Sequence, residues 1–475
     1  MDANVKAGPV RSDLLTMLVL LVLAAVIWVP ALWTPFWGDD YVFLHAARLA
    51  NLASQPWSET FWPVQPELFW RPLSQTAWWR VVESVMGGNV LVAHSVMLVL
   101  QLLAALGVGV LGLTIARVAG WPARWAVAGL SAGLYGVLAV SLLTVHWVAA
   151  ANSPLLVLLT TLLLAAWLAA STATAGKRAL LLVVVPGLLA LALLSKESAI
   201  LMPVLMLICS LFTGARMRRG EWLVLISCVV LGGIWLLLRQ KATLPPAPQY
   251  AYGYGGNLIK NGASFGAWLL NVPREALRMI ATGELLKGAV WALLAALPVV
   301  LGWVLAAAKG GWRRLDRRQW GLLAVFAVVA YTPYFPLVWN SYEYYAAISA
   351  ILPAIVLARL LQGRRIAVLV AVLMAVSCWV SVAGTRWLDH PGLIGRARWA
   401  EASVQQLSAQ QLKAPLWVHV ADDQRFYAIG VHGLAWRLDV PLEQIHAVDA
   451  CPSSGSGTCL EMDAEGRWAH RPVAP

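Results

Sequence analysis

Eleven stretches of this chain are almost continuously apolar, separated by short polar joints: 14–33, 90–116, 124–144, 153–170, 179–194, 199–213, 222–238, 288–308, 320–338, 346–361 and 366–384. An α-helix of about 20 apolar residues matches the roughly 30 Å hydrocarbon core of a bilayer. Only a helix or a closed barrel satisfies its own backbone there. The pattern therefore predicts an all-α polytopic membrane bundle of about eleven transmembrane helices over residues 1–384. The character changes in residues 385–475. Leu416 to Val420 predicts a strand, Phe426 to Leu438 carries further strand-like apolar residues, and Pro452 to Thr458 predicts a turn, so this C-terminal region is expected to form a small extracytoplasmic α/β unit.

Composition agrees: 60% hydrophobic against 12% charged makes the bilayer the main solvent. A net charge of +12 would suggest nucleic acid in a soluble protein. Here Arg and Lys sit in short joints, where they orient helices and meet anionic lipid. With the N-terminus in the cytoplasm, Arg117 and Arg124, Lys177 and Arg178, Arg216 to Arg219, Arg313 to Arg318, and Arg364 and Arg365 all fall on the cytoplasmic side. The first run follows Lys6 and Arg11 without a small-x-small cleavage site, which predicts a retained anchor. The expected location is a multi-pass inner membrane with no nucleic-acid partner. Among 26 Trp, most suit an interfacial belt or a sugar and lipid pocket. Cys209, Cys228 and Cys378 lie in apolar runs, whereas Cys451 and Cys459 are spaced to permit one disulfide. No CxxC or HExxH spacing occurs.

The outer side then receives the loop 35–89, short joints near His146, Lys196 and Tyr342, the loop 239–287, and the C-terminal region. Asp39 and Asp40 open the first loop, immediately beyond the first apolar run. A carboxylate at the mouth of a membrane cavity can accept a proton from an attacking hydroxyl, and a neighbouring one can tune it; both could equally begin an interfacial helix. Trp57, Phe61, Trp62, Trp70, Trp78 and Trp79 lay this loop on the membrane surface. Arg71, before Pro72, offers a planar fork of donors for a phosphate or a headgroup. Lys196 and Glu197 put two charges in a tight joint where positive charge breaks the orientation trend. Lys196 could neutralise a leaving phosphate and Glu197 could bind a sugar hydroxyl, or the two could pair with each other. His146, Tyr342 and Glu343 are further candidates for sugar or acceptor binding. The loop 239–287, with Tyr250, Tyr252 and Tyr254, is expected to be a mobile aromatic flap.

Together these motifs resemble the GT-C superfamily of polyprenyl-phosphate-dependent glycosyltransferases, most closely the protein O-mannosyltransferase-like and tetratricopeptide-bearing mannosyltransferase membrane domains. The resemblance covers residues 14–384: an early acidic pair (Asp39, Asp40), Trp70-Arg71-Pro72-Leu73, His146, Leu193-Leu194-Ser195-Lys196-Glu197, and a Tyr/Glu-rich late joint. It implies a GT-C-like bundle and transfer of a sugar from a polyprenyl-phosphate donor to an extracytoplasmic glycan, lipid or protein hydroxyl, with inversion and without a metal cofactor. By motif, Asp39 or Asp40 would be the base and Arg71 with Lys196 the phosphate holders. The chain departs where the family has His-Pro with a following Glu and Glu-Arg-Tyr; here stand His146-Trp147 with Ala149, and Tyr342-Glu343-Tyr344. It carries no tetratricopeptide repeat.

A transporter or flippase of lipid-linked sugars would share the aromatic cavity but place ionisable residues deep in helices. An O-antigen ligase or polymerase would put its chemistry in a large late loop, whereas here the charged motifs come early. A scaffold displaying the C-terminal region would leave Asp39, Asp40 and Lys196 replaceable.

Overall fold

Apolar segments with no water to bond must close their hydrogen bonds internally, and the structure, a computed structural model, accordingly consists mainly of helices. It describes residues 10–63, 69–245, 247–308, 310–338, 341–388 and 393–473. Helix α1 (Val10–Trp28) is extended by a 3-10 turn (Val29–Trp33); α2 (Asp39–Leu52), α3 (Trp57–Phe61) and α4 (Trp78–Ser84) occupy the first long connection. Next come α5 (Val90–Val118), α6 (Arg124–Gly136), α7 (Leu142–His146), α8 (Asn152–Ala170), α9 (Ala175–Leu193), α10 (Met202–Thr213) and α11 (Arg219–Ala242). The helical part ends with α12 (Gly256–Leu269), α13 (Arg274–Ala281), α14 (Leu285–Ala307), α15 (Arg317–Tyr331), α16 (Ile351–Leu361) and α17 (Ile366–Trp387).

Among the described residues six segments, containing α5, α8, α9, α11, α14 and α17, are long and apolar enough to cross a membrane, and α6 with α7 makes a seventh if a span bent by 52° is counted. The chain is an integral membrane protein, but the expected eleven full-length helices are not reached. The segments 197–213 and 351–361 are apolar yet shorter, and α15 stops at Tyr331 before a 3-10 turn over Thr332–Tyr334. At about 1.5 Å per residue such helices fall short of a bilayer core. The bend between α6 and α7 has its own cause: the chain leaves the helix at Val137 and Leu138, and the side chain of Asn271 takes over the freed groups. Its Oδ1 accepts from Ala139 N–H at 2.8 Å, and its Nδ2 donates to the Val137 carbonyl at 3.3 Å.

Close packing needs small residues where backbones meet. A Cβ at Gly133 would sit 2.4 Å from the Leu20 Cβ, so that glycine lets α6 lie against α1. The indole N–H of Trp28 then donates to the Gly136 carbonyl at 2.8 Å.

The loop 239–287 is not a loose flap. It folds as the end of α11, a short turn, α12 and α13. The Asn261 amide donates to the carbonyls of Tyr334, Phe335 and Leu337 at 3.2, 2.9 and 2.7 Å, and Asn257 to that of Pro336 at 2.9 Å, so the stretch after α15 holds it in place.

The C-terminal region begins with α18 (Leu393–Ser408) and contains β1 (Leu416–Val420), α19 (Asp423–Phe426), α20 (Gly430–Leu438), β2 (Ile445–Ala447), β3 (Thr458–Met462) and β4 (Trp468–Pro472). The sheet order is β2–β1–β3–β4, with β1 parallel to both neighbours and β4 antiparallel on the edge. The expected strand over 416–420 is present. The stretch 426–438 is helical instead: Asp422 caps α19 by accepting from Gln424 N–H at 2.8 Å, and the apolar positions 431, 434, 435 and 438 recur at helical spacing. Cys451 and Cys459 are disulfide-bonded with Cα atoms 5.9 Å apart.

Candidate active site

Helix α2 starts from a sharp turn. Gly38 has φ +56°, a left-handed conformation that favours glycine, and a Cβ there would lie 3.1 Å from the Tyr427 ring. Asp39 and Asp40 follow in the first helical turn, where unpaired backbone N–H groups favour negative charge. Their circumstances are opposite. Asp40 is 0% exposed, and both its oxygens accept from backbone: Oδ1 from Ala149 N–H at 2.7 Å, Oδ2 from Trp37 N–H at 3.2 Å. It staples the start of α2 to the turn 148–150. Asp39 is half-buried; its Oδ1 accepts from the Tyr427 hydroxyl at 2.7 Å, and Oδ2 has no hydrogen bond among the described residues. Burial pushes the Asp39 carboxyl above its ordinary range, while the Tyr427 hydroxyl and the Arg396 guanidinium pull it back. For Asp40 burial wins outright and raises it well above the usual range.

The Arg71 and Lys196 segments meet edge to edge. Leu73 N–H donates to the Leu194 carbonyl at 3.1 Å, and the Ser74 hydroxyl to that of Ser195 at 2.5 Å. Arg71 then grips Glu197 with a fork, Nε at 3.0 Å from each oxygen and Nη2 at 2.8 Å from Oε2, while its guanidinium lies 4.2 Å from the Phe69 ring centre. Glu197 is thereby committed to Arg71 and not to Lys196. Lys196 is 4% exposed and has no carboxylate within ion-pair distance among the described residues. Its Nζ instead faces tyrosine rings, 4.6 Å from Tyr344, 5.4 Å from Tyr345 and 5.9 Å from Tyr334. Burial, and then the nearby Arg71, push the ammonium down to about 7.

An aromatic path joins the two ends. Trp37 stacks on Trp147 at 4.8 Å, Trp147 lies 6.3 Å from Tyr342, and Tyr342 is 5.5 Å from both Tyr344 and Tyr345, which cradle Lys196. Tyr250, packed on Phe69 at 5.1 Å, lies within electrostatic reach of Asp39 and of Arg71 with Glu197. Glu343 is buried beneath this path, and burial followed by the Glu275 carboxylate pushes it up. His146 is not part of the site. It is fully buried, its Nδ1 is 2.8 Å from the Leu142 carbonyl of its own helix, and its ring meets Trp28 edge-on.

Several residues here carried no mark in the sequence. Tyr427 and Arg396 come from the C-terminal region, with the Arg396 guanidinium 5.1 Å from the Tyr427 ring. Arg274 lies 4.4 Å over the Tyr342 ring. Arg274 and Arg278 could have been found by the rule that singled out Lys196, since both are cations on the side expected to be poor in them. Tyr427 had no such signal.

No family model matches the chain, and no curated protein matches it. Among solved structures, the crystal structure of ArnT from Cupriavidus metallidurans bound to undecaprenyl phosphate is 14% identical, covering 94% of this chain and 92% of that one with a TM-score of 0.48.

Proposed function

We propose that this protein is a membrane glycosyltransferase that moves a sugar from a polyprenyl-phosphate-linked donor to an extracytoplasmic acceptor hydroxyl, with inversion at the anomeric carbon. The observation that carries it is the pairing at the two ends of one aromatic path: among the described residues, a half-buried carboxylate with a free oxygen, and a buried ammonium with no carboxylate partner. Asp39 is the base, since Asp40 has both oxygens engaged by backbone. The acceptor oxygen forms a bond to the anomeric carbon as its proton passes to Asp39 Oδ2. The bond from that carbon to the phosphate oxygen breaks, and both its electrons leave with the polyprenyl phosphate.

Lys196 answers the charge on the leaving phosphate, where a buried cation acts more strongly than in water. Arg71 supports it with the donors that Glu197 leaves free, and Glu197 fixes Arg71 instead of binding sugar. Stacked Trp and Tyr rings suit the flat apolar faces of a sugar. The site faces outward, with the Arg-rich turns in the cytoplasm.

The test is transfer of radiolabelled sugar from polyprenyl-phosphate monosaccharides to membrane acceptors, with Asp39→Asn and Lys196→Ala at matched expression. Loss in both variants with normal folding supports the assignment. Wild-type protein that transfers nothing from any donor sinks it and brings forward a flippase of lipid-linked sugars.

A further inference from the structure

Arg274, Arg278 and Arg396, the last within electrostatic reach of Asp39, hold no reactant in the scheme above. Arg274 and Arg278 stand one helical turn apart on α13, and Arg396 projects from α18. Arg274 lies over Tyr342 at 4.4 Å and Arg396 over Tyr427 at 5.1 Å, the tyrosine whose hydroxyl holds Asp39. All three are within electrostatic reach of one another; burial, then Arg274 and Arg396, push Arg278 down to about 10.

Among the described residues no carboxylate comes within ion-pair distance of any of the three, although Glu275 and Glu343 lie nearby. Arg274 Nη1, Arg278 Nη1 and Arg396 Nε are buried nitrogens with no hydrogen-bond partner among the described residues. A buried guanidinium N–H left unmade costs free energy, and three like charges gathered together cost more. An anion between them would remove both costs. Lys196 sits on other rings of the same tyrosine cluster, so this is a second cationic group, on the Asp39 side.

We infer that Arg274, Arg278 and Arg396 form an anion-binding subsite that takes a phosphate or carboxylate group next to the Asp39 carboxylate. Guanidinium forks suit such oxyanions because they present paired donors in one plane. Two sources share this chemistry: an anionic group on the acceptor, and the phosphate of the donor lipid. Naming these sources rests on the glycosyltransferase assignment; the existence of the subsite does not.

Binding is the readout, so the result stands whether or not sugar is transferred. The full-length protein in nanodiscs is titrated with a phosphorylated hexose, a short isoprenyl monophosphate, inorganic phosphate and, as a neutral control, glucose. Arg278→Gln and Arg396→Gln are each expected to weaken phosphorylated-hexose binding roughly 10-fold or more, the loss of a hydrogen bond to a charged group. If isoprenyl phosphate binding is unchanged in those variants, the anion comes with the acceptor. If isoprenyl phosphate weakens equally, the subsite takes the donor phosphate. Arg278→Lys and Arg396→Lys keep the charge and guard against misfolding, and should fall between wild type and the Gln variants. Wild-type protein that binds no anion, or Gln variants that bind all of them as wild type does, would overturn the inference.

Discussion

The two ends of the aromatic path are built in opposite ways. At the Lys196 end, everything comes from the helical bundle and its joints: Arg71 and Glu197 neutralise each other in a bidentate pair, and the ammonium is left among tyrosine rings with no carboxylate at ion-pair distance among the described residues. At the Asp39 end, the acid belongs to the bundle, but the groups that tune it, Tyr427 and Arg396, are delivered by the C-terminal region across a sequence separation of 388 residues in the case of Tyr427. The first end is complete in itself except for an anion. The second is complete only when the C-terminal region is docked. The difference places the demand for substrate charge at one end and the means of adjustment at the other.

The sharpest way to break this comparison is to remove the acid. Asp39→Asn should lower sugar transfer by roughly 10²–10⁴-fold, the usual range for a general base, with thermal stability near wild type because only one side-chain bond is changed. Asp40→Asn should behave differently. It puts an amide N–H where one of two oxygens accepts from buried backbone N–H groups, so unfolding stability should drop by roughly 2–3 kcal/mol. Thermal unfolding of the two variants side by side separates base from staple; equal stability with equal loss of transfer would erase the distinction.

Lys196→Ala comes next, with about 10²–10³-fold slower transfer expected from loss of a preorganised charge. The pH dependence is more telling. The form that holds phosphate is the ammonium, which is lost as pH rises through about 7. Donor affinity should therefore fall on the alkaline side in wild type and stay level in Lys196→Arg, whose guanidinium remains charged. An alkaline limb that survives in Lys196→Arg would assign it elsewhere.

Smaller again is Tyr427→Phe. The hydroxyl stabilises the ionised form of Asp39, so its removal raises the carboxyl pKa further, and the acid limb of the transfer profile should move to higher pH. About 10-fold slower transfer below neutrality is expected from one lost bond to a charged group. A lower rate with an unmoved acid limb would make Tyr427 merely structural.

What could be read from sequence follows the same divide. Apolar runs and charge asymmetry located the bundle, because the bilayer imposes its length and polarity on every spanning segment. They overcounted full spans, because hydropathy does not register a 3-10 turn after Tyr331 or the break that Asn271 satisfies. Lys196 and Glu197 stood out as charges in a tight joint, yet the pairing of Glu197 with Arg71 could not be seen, since it joins residues 126 apart. The stretch 426–438 reads as strand-like although it is helical, because short apolar stretches carry either period. Tyr427 was invisible, being an ordinary tyrosine until docking brings it to Asp39.

That docking has a sensor of its own, and it gives the smallest expected effect. α20 lies against α2 through Arg48 Nη1 donating to the Trp436 carbonyl at 3.0 Å, Arg437 Nε donating to the Tyr41 hydroxyl at 3.2 Å, and the rings of His45 and His432, whose Nδ1 atoms are 3.4 Å apart. Burial holds both histidines below their ordinary pKa, and for His45 the neighbouring His432 and Arg48 add to this while Glu443 opposes it. The docked form therefore takes up protons less readily than the undocked one. Docking should be at full strength above about 6.5, the ordinary histidine value, and weaken as pH falls below it. Amide hydrogen exchange across α2 and α20 at pH 5 and pH 7.5 measures this directly, with faster exchange at pH 5 in wild type. In His432→Gln the pair can no longer hold two charges, so the difference between the two pH values should shrink. If wild type and variant respond to acid alike, the histidines are only packed side chains, and the tuning of Asp39 by the C-terminal region is independent of pH.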